Sequence, residues 1–256
     1  MKTGRFFISI IFIALIASCS KEKYFDGPAY LGDDFENIST VDELIDADGK
    51  WSFYQNSRDL NSISIDTTIV HTGNQSIKFT AEPSIDGASK SDIANNKLAF
   101  NEDETVIISA WFYLSGTESL DYIFLIDLEE SIPIGAGPGL RFALEGPEGF
   151  LVVERNKFTE STLRQTTGSE VAFPRDQWVK VEIETYLQRK KKGTVKVWLN
   201  DQLIIDFSNV ATMPKDKLFY LQGTKGIYNS LQVGITANSD ENNAVLYLDD
   251  VEIKLK

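Results

Sequence analysis

The sequence predicts an all-β fold, a sandwich of two antiparallel sheets, and three observations carry that expectation. Runs of β-branched and aromatic residues recur through most of the chain. Several alternate apolar with polar side chains, the period of a strand with one buried face. Gly, Pro, Asn and Asp stand between them as turn signals. The composition agrees: 256 residues are 42% hydrophobic and 25% charged, which is globular rather than disordered. Against 38 Asp+Glu there are 25 Lys+Arg, for a net charge of −13. That balance leaves no basic excess to neutralise phosphates and argues against a nucleic-acid partner. One Cys and one His exclude an intramolecular disulfide and a Cys/His zinc cluster.

The first segment reads as an address. Lys2 and Arg5 precede the apolar stretch Phe6 to Ile16, broken only by Ser9. It is too short to span a bilayer as a mature helix. Ile16-Ala17-Ser18-Cys19 resembles the bacterial lipobox, where small residues admit the signal peptidase and the Cys thiol accepts diacylglycerol. The resemblance implies a lipoprotein signal peptide over 1–18, lipidation at Cys19 and a lipidated tether over 19–33. Buried acyl chains contribute about 0.8 kcal/mol per CH₂, so such a Cys holds the chain to a membrane. Ser20 after the Cys is similar to outer-membrane lipoproteins, and Lys21-Glu22-Lys23 resembles the export signals of Bacteroidota surface lipoproteins. The expected location is the outer membrane at the cell surface. Cleavage before Cys19 removes Lys2 and Arg5 and no acid, which makes the chain two charges more negative.

Residues 34–256 read as one domain, with no internal repeat and no Pro/Ser/Gly-rich linker. Thr40 to Ile45 has a capping-box pattern that supports a turn or two of helix. The polar stretch Ser84 to Lys97 reads as a surface loop. Val106 to Leu114 is β-branched and aromatic, and Tyr122 to Leu128 is a second apolar run. Glu129 to Pro138 reads as a loop. Leu140–Leu144 and Phe150–Glu154 flank Gly146-Pro147-Glu148-Gly149 and predict a hairpin. In Trp178 to Glu184, Val179, Val181 and Ile183 point one way and Lys180, Glu182 and Glu184 the other. Thr194 to Asn200 repeats the pattern, with Val195, Val197 and Leu199 inward and Lys196 and Trp198 outward. Asn200-Asp201 turns the chain into Gln202 to Phe207. Arg189-Lys190-Lys191-Lys192 is the one basic run, read as an exposed hairpin tip.

Trp178-Val-Lys-Val-Glu-Ile-Glu, followed by Gly193-Thr-Val-Lys-Val-Trp-Leu-Asn-Asp-Gln-Leu-Ile, resembles the paired strands of concanavalin A-like (laminin-G-like) jelly rolls. Asp201 stands where Gly is usual. Asp34-Phe35-Glu36, the stretch His71 to Phe79 and the closing Tyr247 to Ile253 are similar to strands of carbohydrate-binding jelly rolls and of the heparin-lyase and alginate-lyase-like families. The resemblance implies a concanavalin A-like sandwich. It also implies a structural Ca²⁺ between the first and last strands, held by Glu36 and Asp249 with backbone oxygens near Gly73; hard oxygen ligands suit that ion.

A lyase needs a base, an acid and a group that neutralises a uronate carboxylate. The lyase-like relatives carry a His on the concave sheet and a Lys-x-Gly-x-Tyr strand. Here Leu231 to Thr236 stands in that place, with Gln232 for the Lys and Thr236 for the Tyr. The single His71 reads as a polar turn residue, and Lys225-Gly226-Ile227-Tyr228 as a displaced version of the motif or a loop. Asp127-Leu128-Glu129 is a fragment of the glucanase Glu-x-Asp-x-x-Glu pattern without its final Glu, and Glu182 and Glu184 read as a solvated strand face. Sugar rings stack on aromatic faces, which makes Trp198, Trp178, Tyr186 and Tyr228 candidate ligand-binding residues, with Arg141 and Arg155 beside them. The expectation is a glycan-binding surface lipoprotein without catalysis, serving a polysaccharide-utilisation system. Two alternatives stay open: a polysaccharide lyase using Tyr228, Lys225 and Arg155, and a structural or adhesive surface protein.

Overall fold

A computed structural model of the protein describes residues 24–83, 87–130, 137–155, 161–214, 226–239 and 241–256. The segment expected to be a signal peptide, Cys19 and Lys225 lie outside the described residues. The strands in chain order are β1 (Tyr30–Asp33), β2 (Phe53–Asn56), β3 (Ser62–Asp66), β4 (Ser76–Ala81), β5 (Ser89–Asn95), β6 (Phe100–Asn101), β7 (Thr105–Leu114) and β8 (Tyr122–Glu130). They continue as β9 (Gly137–Glu145), β10 (Phe150–Glu154), β11 (Trp178–Tyr186), β12 (Gly193–Leu199), β13 (Gln202–Val210), β14 (Ile227–Tyr228), β15 (Ser230–Asn238) and β16 (Ala244–Leu255). One sheet runs β13-β12-β11-β7-β16-β4-β3, with β1 also paired to β16; the other runs β10-β9-β8-β15-β5-β2. All the pairings are antiparallel. This is the two-sheet sandwich that the alternation predicts.

The core lies between the sheets. From the eight-stranded side it takes Ile77, Phe79, Ile108, Phe112, Val179, Val181 and Ile183, and from the other Ile93, Leu128, Phe142, Leu231, Val233 and Ile235. β7, β11 and β12 alternate buried with half-buried residues, so one face is core and the other faces water. The hairpin of β9 and β10 forms where the turn signals place it. Asn200 and Asp201 both take positive φ, 47° and 65°. That is the backbone a two-residue hairpin needs to match strand twist, and Asn and Asp tolerate it almost as Gly does. The Thr40 region forms a single 3-10 turn, Val41–Leu44. The Glu43 carboxylate accepts the Ser39 N–H at 2.8 Å and the Thr40 hydroxyl at 3.3 Å. Trp51 stacks on Phe35 at 6.3 Å and donates its indole N–H to Asp33 Oδ2 at 2.8 Å.

Four expectations need correction. Glu129 to Pro138 is not a loop at its ends: Glu129 and Glu130 close β8 and pair with Pro138 and Gly137 of β9. Ser84 to Lys97 is not a surface loop: residues 89–95 are β5, between β15 and β2 in the six-stranded sheet. Its Ser89, Ser91, Asp92 and Asn95 are buried, so polar composition hid a two-sided burial. The end of the tether, Tyr30–Asp33, is a strand on β16. In the basic run only Lys190 to Lys192 are exposed; Arg189 is buried and pairs with Glu102 at 2.6 Å.

Candidate active site

The six-stranded sheet carries its chemistry on the face turned away from the core. In a strand, residues two apart share a face. β5 therefore puts Lys90, Asp92 and Ala94 opposite the core side of Ile93. β15 does the same with Gln232 and Thr236, and β8 with Asp127 and Glu129. Cross-strand register joins these positions into a row that crosses the whole sheet: Phe53, Ala94, Gln232, Asp127, Arg141 and Glu154. Beside the row a small apolar patch forms from Phe124, Ala143, Val152 and Ala237, with Tyr122 packed against it.

Arg141 is the centre of this row. Its Nε lies 3.3 Å from Asp127 Oδ2 and its Nη1 3.4 Å from Glu154 Oε2. The guanidinium carbon lies 3.4 Å from the Phe124 ring centroid, and that ring is 4.8 Å from Tyr122. A planar cation resting on an aromatic face with carboxylates at two edges is held in orientation. Gln232 donates from Nε2 to Glu129 Oε2 at 2.6 Å. Burial pushes the Asp127 carboxyl up, opposed by Arg141 and Lys90. Burial also pushes Tyr122 up to about 12, aided by Glu154 and Glu145 and opposed by Arg164 and Arg141. Its phenol keeps its proton across the neutral range. Together the face offers a fixed cation, a protonated phenol and carboxylates within one cross-strand neighbourhood, the set that proton transfer next to a carboxylate requires.

The structure divides the sequence candidates between the two sheets. Of the expected ligand-binding residues, Arg141 is the one that falls in the row, beside Gln232 and Asp127. Trp178, Tyr186 and Trp198 are half-buried on the outer face of the eight-stranded sheet. There Trp178 packs edge-on against Tyr113 at 5.8 Å and His71 at 5.7 Å. Tyr228 is no platform: it is fully buried, and its hydroxyl donates to the Thr212 carbonyl at 2.8 Å. Burial holds its phenol well above the usual range, with Glu130 adding to the effect. Arg155 is also buried and donates to the Ala211 carbonyl at 2.9 Å and to the Ser161 hydroxyl. The proposed Tyr228–Lys225–Arg155 machinery is therefore not assembled on this face: two of its members serve the interior and Lys225 lies outside the described residues. His71 is not a bare turn residue. Its Nδ1 lies 2.7 Å from Asp250 Oδ2, and its ring stacks on Trp111 at 3.8 Å.

Glu36 and Asp249 both close on the loop that contains His71. Glu36 accepts the N–H groups of Asn74 and Gln75 at 2.9 and 3.1 Å. Asp249 is buried and accepts those of His71 and Thr72 at 3.1 and 3.2 Å. Burial pushes Asp249 up to about 6, with Asp250 adding to it and the loop amides opposing. The sequence reading missed Lys90, Asp92 and Tyr122, and met Asp127 only as a fragment of the glucanase pattern. Lys90 and Asp92 lie in a stretch whose polar composition reads as a loop, and Tyr122 opens an apolar run, so neither segment carries a site signal.

A family model described as polysaccharide lyase matches residues 45–252. The chain belongs to the polysaccharide lyase family. That membership overturns the expectation of a non-catalytic glycan binder. No curated protein matches the chain. Among solved structures, this member of the lyase family is similar to the endo-β-1,4-glucuronan lyase of the fungus Trichoderma reesei, at 14% identity and a TM-score of 0.65 over 90% of this chain and 96% of that one. It is also similar to the cellulose-induced protein Cip1, at 19% and 0.62 over 87% and 96%. A third similar structure is an alginate lyase, Aly36B, in complex with an alginate trisaccharide, at 10% and 0.55 over 90% and 100%. At these identities the likeness shows the jelly-roll fold.

Proposed function

We propose that the protein cleaves a uronate-containing polysaccharide by β-elimination on the outer face of the six-stranded sheet. The observation that carries this reading is Arg141, fixed between Asp127 and Glu154 on the Phe124 ring, in a chain of the lyase family. Among the described residues only its Nε and Nη1 are paired, so Nη2 is left to bind the substrate carboxylate and stabilise the charge that develops on it. Glu154 takes the C5 proton. The C5–H electrons form the C4=C5 bond, and the C4–O4 bond breaks. Tyr122, held protonated by its surroundings, gives its proton to the departing O4. Glucuronan and alginate, named for the similar enzymes, are both uronate polymers and supply the first substrates to try. The test follows the ultraviolet absorbance of the conjugated unsaturated end group on glucuronan, alginate and a neutral glucan. Absorbance growth on a uronate polymer alone is expected; no growth on any uronate polymer would sink the elimination.

The structural Ca²⁺ belongs to the same proposal. What supports it is Asp249, which gathers with Asp250 and His71 within 4.8 Å, and Glu36, which closes on the same loop at Asn74 and Gln75; their carboxylates are hard oxygen donors. The ion would tie that loop to β16, its neighbour in the eight-stranded sheet, and takes no part in the elimination. Calcium is expected to raise the melting temperature and EDTA to lower it. A melting curve unchanged under both would remove the ion.

A further inference from the structure

Most of the charged groups on the reactive face have a partner: Asp127 and Glu154 hold Arg141, and Glu129 accepts from Gln232. Asp92 does not. It is fully buried, and neither of its oxygens meets a hydrogen-bond partner among the described residues. The groups around it come from every neighbouring strand. Lys90 shares its face on β5, and Asp127 and Glu129 act on it from β8. Gln232 and Thr236 flank it on β15, with Gln232 Oε1 and Thr236 Oγ1 also lacking partners among the described residues. Gln55 stands opposite on β2. A buried carboxyl without donors is unstable as an anion and settles as the neutral acid.

We propose that Asp92 is a positioning residue that, as a neutral acid, leaves Lys90 free to bind a carboxylate of an anionic uronate chain on the face that carries Arg141. This rests on the lyase reading for the placement of the uronate on this face. The charge balance explains the role. With Asp92 neutral, the two cations face three carboxylates, Asp127, Glu129 and Glu154. Ionised, Asp92 adds a fourth negative charge beside Lys90, draws that ammonium down to the sheet and repels the incoming chain. Burial pushes the Asp92 carboxyl up to about 8, opposed by Lys90 and reinforced by Asp127 and Glu129. The device therefore weakens uronate binding as pH rises past that value.

The experiment measures binding of a glucuronate tetrasaccharide to the whole chain by calorimetry between about pH 6 and 9. For the native protein, affinity should fall by about tenfold between pH 7 and 9, following the loss of the proton from Asp92. Asp92→Asn, which stays neutral, should bind as tightly at pH 7 and show no alkaline loss; a neutral glucan tetrasaccharide should show none with either. Stability supplies an independent readout. A carboxyl raised in the folded state destabilises that state progressively from the unfolded value near pH 4 up to its folded value. Asp92→Asn should thus melt above the native protein by a margin that widens between about pH 5 and 8. If the variant does not fold, carbon NMR of the native Asp92 carboxyl decides, and a midpoint below about pH 5 overturns the proposal. An alkaline loss that persists in Asp92→Asn, no alkaline loss in the native protein, or no uronate binding at pH 7 also overturns it. Product formation with pH-independent binding refutes only the role of Asp92. Binding with the expected pH profile but no unsaturated product refutes only the elimination.

Discussion

Replacing Arg141 by Lys should lower kcat/KM on the uronate substrate by about 100-fold, close to 2.7 kcal/mol of transition-state stabilisation. Lysine keeps the positive charge. It loses the planar fork that reaches Asp127 and Glu154 from two nitrogens while presenting a third to substrate. It also loses the flat contact with Phe124 at 3.4 Å. A point charge on a flexible stem is then free to collapse onto Asp127. The uronate carboxylate is an anion from the start and gains further charge as the C5 proton leaves, so KM should rise and kcat should fall, with the larger share of the loss on kcat. Arg141→Ala is a poorer test, because it strands the Asp127 side chain, 2% exposed, and removing one partner of a buried pair costs about 3–5 kcal/mol in folding alone. An Arg141→Lys protein with native kcat would show that this guanidinium is a strut of the sheet and that the chemistry lies elsewhere.

The eight-stranded sheet was legible in the sequence because it has one wet face. β11 and β12 alternate Val and Ile with Lys, Glu and Trp, and the pattern alone places their inward and outward residues correctly. The six-stranded sheet was harder for a physical reason. β15 is buried along its whole length and β8 along nearly all of it, so burial no longer follows alternation. β5, with Ser89, Lys90, Ser91 and Asp92, looks like a loop because its polar residues sit in the centre of a sheet. The same fact hid the site. Its members come from β5, β8, β9, β10 and β15 and meet only through cross-strand register, so no short motif records them. Arg141 was found as a charged residue on a predicted hairpin. Asp127 was set aside as half of a different motif, and Tyr122 was only the first residue of an apolar run. The Lys-x-Gly-x-Tyr pattern expected from the resemblance falls on β15, and its absence there suggested a protein without chemistry. The face instead carries cations on other strands, at Lys90 of β5 next to β15 and at Arg141 of β9 beyond β8.

Arg189→Met should lower stability by about 3–5 kcal/mol, while the double change Glu102→Leu with Arg189→Met should recover most of that loss. The run that contains Arg189 looks like surface charge, yet its Nε lies 2.6 Å from Glu102 Oε2 and its backbone N–H 3.3 Å from Glu102 Oε1. Both side chains are less than a tenth exposed, at 8% and 7%. Removing Arg189 alone leaves a carboxylate buried without its cation; removing both ions replaces a costly desolvated pair with apolar packing. The pair also joins two segments that are distant in sequence. The Glu102 N–H donates to the Gly226 carbonyl at 2.8 Å, the Asp103 N–H to Leu187 at 2.9 Å and the Leu187 N–H to Glu104 at 2.8 Å. β14, with its buried Tyr228, starts from this junction. A double-mutant cycle read by denaturant unfolding separates the pair from the packing. A loss below about 1 kcal/mol for Arg189→Met would place the pair with ordinary surface bridges and leave the backbone bonds as the junction's main support. The expected result instead makes this ion pair the element that fixes the junction from which β14 starts and pairs with β6.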